Sequence, residues 1–199
     1  MKAGQSYFQD TLTYAKRIRE FQREDWIYYI RWVGLMLGLL FCTAGFVLTG
    51  WMHGVQFPAY VWNVPIGTFI FIKAIAFDTI GHQTVYKKAL ESGERLVHLI
   101  TIWAGVSSCI VLCLAYHWPV FFRIPALSLI LLSIFYSIID EWMHWTRYMA
   151  GNSDRIEMWS HFFIFLGHSV MIFSWWTWFD AGYPGVKETL QFIPFLSGR

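Results

Sequence analysis

Residues 121–144 read FFRIPALSLILLSIFYSIIDEWMH. The first part, 121–139, is an apolar run of about 19 residues, close to the roughly 20 that a helix needs to cross the hydrocarbon core of a bilayer. The run stops on two acids, Asp140 and Glu141, and reaches His144 one helical turn later. A span that closes on carboxylates and an imidazole decides the class of fold and points to the chemistry.

Four further runs have the same character, at about 32–51, 60–80, 99–118 and 158–179. The 199 residues are 56% hydrophobic and 20% aromatic, and only 14% charged, against about 25% charged in soluble domains. The expected fold is therefore an all-α polytopic bundle of five transmembrane helices. It would form one domain over 1–199, integral to the cell's inner or plasma membrane. No small-residue cleavage pattern follows the polar first 30 residues, so the first span is expected to act as its own insertion signal.

Within residues 1–30, Phe8, Leu12, Ala15, Ile18 and Phe21 recur at roughly helical spacing. This predicts an amphipathic helix over 7–28, lying on the membrane surface or packed on a partner subunit. After the last span, Gly182-Tyr183-Pro184-Gly185 predicts a turn. A tail over 182–199 then follows on the far side, with a short segment at 186–196. Tryptophans crowd the span ends (Trp26, Trp51, Trp62, Trp118, Trp142, Trp145, Trp175, Trp176, Trp178), as in an interfacial belt. Cys42, Cys109 and Cys113 all fall inside spans, where cysteine behaves as a small hydrophobe rather than a disulfide partner. Nothing suggests nucleic-acid binding.

Basic residues set orientation. Lys2, Lys16, Arg17, Arg19, Arg23 and Arg31 precede the first span; Lys87, Lys88 and Arg95 follow the second; Arg147 and Arg155 follow the fourth. Only Arg123, Lys187 and Arg199 fall on the other side, and Lys73 lies within a span. This bias places the N-terminus in the cytoplasm.

The polar residues at that face repeat. Asp78 and His82, Glu94 and His98, Asp140 and His144, and Glu157 and His161 are all acid–histidine pairs four residues apart. Residues at i and i+4 share one helical face, so each pair offers an oxygen and a nitrogen to a common point. Spans two and four run toward this face and three and five run away from it, so all four pairs end together. Mixed carboxylate and imidazole donors without sulfur suit copper, iron, zinc or manganese, and di-iron carboxylate bundles converge ligands in this way. Glu141-Trp142-Met143-His144 is itself a Glu-x-x-His, so Asp140 and Glu141 compete as the acid partner of His144. His168 lies seven residues beyond His161 on the same face, about 10 Å deeper; it is a ligand candidate or a core histidine. The candidate metal ligands are thus Asp78, His82, Glu94, His98, Asp140, Glu141, His144, Glu157, His161 and His168, holding one or two ions. A single such pair is more often a cap or salt bridge; four at one face favour a metal. Lys73 needs a partner in mid-span, His53 and His117 read as belt residues, and Asp180 closes the last span with no assigned role. Glu91 and Asp154 read as solvated loop charges.

At these motifs the chain resembles the metal-binding integral-membrane subunit of the copper membrane monooxygenases, the particulate methane and ammonia monooxygenases. The matching strings are Asp78-Thr-Ile-Gly-His82-Gln83-Thr84 followed by His98, and Asp140-Glu141-Trp142-Met143-His144 followed by His161. The linking Trp118-Pro-Val-Phe-Phe-Arg123 is also similar, and the resemblance covers about residues 78–175. It implies one metal on Asp78, His82 and His98, and a second set of Asp140, His144 and His161. Asp140 stands where that family usually has Asn, and the family's site faces the extracytoplasmic side.

The expected function is an O2-dependent membrane oxidoreductase of monooxygenase type, or its metal-bearing subunit. It would use copper or iron on a hydrophobic small-molecule substrate, with catalytic residues unassigned. No flavin, nicotinamide or iron–sulfur motif is present, so electrons would come from quinol or a partner, which implies other membrane subunits. One alternative is a b-type haem electron-transfer subunit, although paired deep histidines on facing spans are missing. Another is a non-catalytic subunit of a membrane complex, with the acid–histidine pairs as interhelical hydrogen bonds.

Overall fold

A computed structural model describes residues 6–85, 92–151 and 155–193. Lys2, Lys87, Lys88, Glu91, Asp154 and Arg199, invoked above as topology signals or loop charges, lie outside the described residues. Those described are chiefly helical: α1 (Tyr7–Lys16), α2 (Arg23–Met52), α3 (Asn63–Thr84), α4 (Ser92–Leu114), α5 (Pro119–Met149), α6 (Arg155–Asp180) and α7 (Val186–Leu190), with short 3-10 turns at Arg17–Glu20 and Ala59–Trp62. Five of these helices, α2 to α6, are long and apolar enough to cross a membrane.

The helix expected over 7–28 is broken. Phe21 turns to extended backbone and is buried, and its neighbour Gln22 caps α2. The Gln22 backbone N–H donates to Asp25 Oδ2 at 2.8 Å, and Asp25 is itself buried. A polar N-cap and a buried acid in the first turn start a new helix here, so residues 23–28 extend α2 instead. α1 packs against α3 and α6 at the end of the bundle where the acid–histidine pairs lie. The Arg155 guanidinium pairs with Asp10, tying α1 to the start of α6.

The five long helices form an arc in the order α2, α3, α6, α5, α4, with α3 closest to α6 and α4 closest to α5. Glycines set the α3–α6 crossing. A Cβ on Gly67 would lie 2.5 Å from the Met171 backbone nitrogen, and one on Gly167 would lie 2.6 Å from that of Phe71. Main chain meets main chain there, as small residues permit between apolar helices.

The apolar core fills the end of the bundle away from the acid–histidine pairs, around Leu112, Ile130, Ile172, Trp175 and Trp178. Two tryptophans expected in the belt are therefore core residues. Trp175 and Trp178 are each 5% exposed, and the Trp178 indole N–H donates to the Pro184 carbonyl at 3.0 Å. The turn and α7 fold back onto this end, where buried Tyr183 donates its hydroxyl to the Leu112 carbonyl at 2.5 Å. Arg123 pairs with Asp180 there at 2.5 Å, which gives both a role. His53 stacks on Phe192 and His117 edges onto Tyr116, both far from the other histidines. Lys73, exposed at mid-helix, lies over the Phe69 ring.

Candidate metal centre

α3, α5 and α6 bring Asp78, His82, Asp140, His144 and His161 to one buried place, and α4 adds His98. His161 sits at the middle. Its Nε2 is 2.8 Å from Asp78 Oδ1 and its Nδ1 is 3.5 Å from Asp140 Oδ2. Asp78 is also 3.3 Å from His82 Nε2, and Asp140 Oδ1 lies 3.0 Å from His98 Nε2 and 3.6 Å from His144 Nε2. The rings of His144 and His161 stack with centroids 3.3 Å apart.

Two groups of donor atoms result: His98, Asp140, His144 and His161 in one, and Asp78, His82 and His161 in the other. Within each group the atoms lie no more than 4.8 Å apart. Donors bound to one ion at about 2.0–2.2 Å are at most about 4.4 Å apart, so closing the widest pair takes a shift of about half an ångström. Several of these atoms have close neighbours but no hydrogen-bond geometry. Asp140 Oδ1, His144 Nε2 and both ring nitrogens of His161 are buried without a hydrogen bond. Atoms of this kind are costly to bury unless something occupies the point they share. On this test the residues fit a cation with nitrogen and oxygen ligands.

The two glutamates stand one layer out. Glu157 Oε1 takes a hydrogen bond from His144 Nδ1 at 3.1 Å, which leaves Nε2 to face the group. Carboxylates behind ligating histidines orient them in this way. Arg147 donates to Glu157 Oε1 at 3.1 Å and to Glu94 Oε2 at 2.5 Å, while Glu94 Oε1 lies 3.4 Å from His144 Nε2. Glu94 and Glu157 are 0% and 3% exposed. Four carboxylates thus surround one guanidinium, a negative surplus that suits a cation.

Of the ten candidates, six therefore enter the converging groups: Asp78, His82, His98, Asp140, His144 and His161. The acid beside His144 is Asp140 rather than Glu141, which stays half-buried outside both groups. Glu94 and Glu157 pair across helices, because the facing helices bring Arg147 and His144 to them. His168, buried and deeper, lies 3.5 Å from Ser133 Oγ and outside both groups. Arg147 reads in the sequence only as a topology signal, although it lies three residues past His144 and seven past Asp140, on their face.

A cavity of about 720 Å³ opens beside the ligands. Asp78, His82, His98, Asp140 and His161 lie at one end, with Phe71, Ile75, Ile102, Val106 and Met171 along its walls and His168 deeper. Such a mostly apolar site with a few convergent polar groups is the usual form of a small-molecule site.

No protein-family model matches this chain, and no curated protein and no solved structure shows a match to it.

Proposed function

We propose that this protein spans the bilayer five times with its N-terminus in the cytoplasm and holds one or two transition-metal ions, copper or iron, for O2-dependent oxidation of an apolar substrate. The carrying observation is the convergence of two aspartates and four histidines on a buried point at the end of an apolar cavity. In this reading Asp78, His82 and His161 hold one ion, and His98, Asp140, His144 and His161 hold the other or share it. The first set is the two-histidine, one-carboxylate combination of non-haem iron oxygenases. The bound metal supplies redox chemistry with O2.

The chain's own residues do the rest. Glu157 keeps the His144 ring turned toward the site, and Arg147 neutralises Glu157 and Glu94 so that the second layer does not compete for the cation. The apolar walls exclude water and admit a hydrophobic substrate. Electrons come from quinol or a partner subunit, as in the copper membrane monooxygenases that the motifs resemble. The Arg147, Glu94, Glu157 and His144 network favours one rival, a non-catalytic subunit whose polar residues serve only to join helices.

The test is O2 consumption by the purified protein in lipid nanodiscs, loaded with iron or copper and supplied with a quinol. Metal-dependent uptake that stops in His144→Ala is expected. Stable metal loading with no uptake under any donor would leave the metal site standing and refute the oxidase assignment.

A further inference from the structure

The arc of helices does not close. α2 packs on α3 and α7, and α4 on α5, and the cavity lies between the free sides of α2 and α4. Its α2 wall runs from Tyr28 to Leu39, a height of about 16 Å at 1.5 Å per residue. Dividing 720 Å³ by that height gives a cross-section of about 45 Å², whereas a helix about 10 Å across fills about 80 Å². The opening is too narrow for another helix and suits a single extended chain. Gly34 and Gly38 line it with nothing within 4 Å of where a Cβ would stand, so missing side chains make the space.

The polar atoms sit at one end. Thr101 and Ser137 line the cavity one helical turn deeper than His98 and Asp140, and the hydroxyl of each is buried without a hydrogen bond. Ser137 is 4% exposed. Both hydroxyls can donate to or accept from a neutral oxygen. A carboxylate head would meet Asp78 and Asp140, which repel it.

We infer that the cavity between α2 and α4 binds a single-chain amphiphile with a neutral oxygen head, a long-chain alcohol or its carbonyl counterpart. The head sits at Thr101 and Ser137 beside the metal ligands, and the chain reaches the bilayer through the gap between α2 and α4. That the ligand is the substrate rests on the oxidase reading above; that the cavity binds it does not.

The test uses hexadecanol carrying a photoreactive diazirine, with the full-length protein in nanodiscs and adducts mapped by mass spectrometry. Adducts are expected on Met36, Ile102 and Val106, and excess hexadecanol should compete about 3- to 10-fold better than hexadecane, the worth of a neutral hydrogen bond. That preference should vanish in Thr101→Val/Ser137→Ala. Gly38→Leu, or Gly34→Leu if the first does not fold, should abolish labelling of the cavity and leave metal content unchanged. Adducts confined to the outer faces, or unchanged labelling in a folded plugged variant, would overturn the inference while leaving the metal centre intact. Labelling that survives in a chain that takes up no metal would support the cavity and sink the oxidase reading instead.

Discussion

Replacing Gly167 by valine tests how closely the α3–α6 crossing governs the centre. A Cβ there lies 2.6 Å from the Phe71 nitrogen and 2.8 Å from the Gly67 carbonyl oxygen. Both are backbone atoms, so no rotamer change relieves the contact. Restoring ordinary van der Waals distance, about 3.4 Å, moves the helices apart by about 0.8 Å, and such overpacking costs about 1–3 kcal/mol or somewhat more. Valine recovers only about 0.5 kcal/mol of helix propensity over glycine, so the net loss is about 2–3 kcal/mol. For a chain of this size that lowers Tm by about 4–12 °C. Gly167 is six residues from His161, about 9 Å along α6, so the opening also widens the 2.8 Å approach of His161 to Asp78. Weaker metal uptake should accompany the lower Tm. Gly45→Ala is the control, since nothing lies within 4 Å of its Cβ. Thermal unfolding in detergent and cobalt titration followed by absorbance read both effects. If Gly167→Val matched Gly45→Ala in both assays, the crossing would not position the site.

Arg147→Met leaves Glu94 and Glu157 buried without their cation; breaking a buried pair this way costs about 3–5 kcal/mol, and an unchanged unfolding temperature would contradict the role assigned to it. Asp140→Asn should lower cobalt affinity while Glu141→Gln leaves it unaltered, and the reverse order would show that the wrong acid has been assigned to His144. Tyr183→Phe removes the hydroxyl donated to the Leu112 carbonyl and should cost about 0.5–1.5 kcal/mol in the same unfolding assay, with metal uptake unaffected.

The long apolar runs disclosed the five long helices, because the apolar residues that face outward are the ones a hydropathy reading sees. Their ends were less legible. The fourth apolar run stops at 139, yet α5 continues to Met149, since Asp140, His144 and Arg147 share an inward face and the helix persists beneath them. Trp175 and Trp178 read as belt residues by position alone, while a core packed by α7 buries them. The four-residue spacing found the ligands but not their division. Two of the four pairs hold within one helix, Asp78 with His82 and Asp140 with His144. The glutamates are claimed by Arg147 and His144 across helices, and His161 serves both groups. Spacing describes one helix at a time, and the partition depends on how close Gly67 and Gly167 let two of them come. The cavity left no pattern, because the glycines that open it look like ordinary glycines of an apolar helix.

The measurement that bears most directly on the metal centre is the metal content of the purified protein beside that of His161→Ala, by elemental analysis after reconstitution with iron or copper. His161 is the residue common to both donor groups. One or two equivalents are expected in the parent chain, with loss of all of them in a variant that keeps its helical content. A parent chain that retains no metal, or a folded His161→Ala that retains all of it, would contradict the assignment of this cluster as a metal centre.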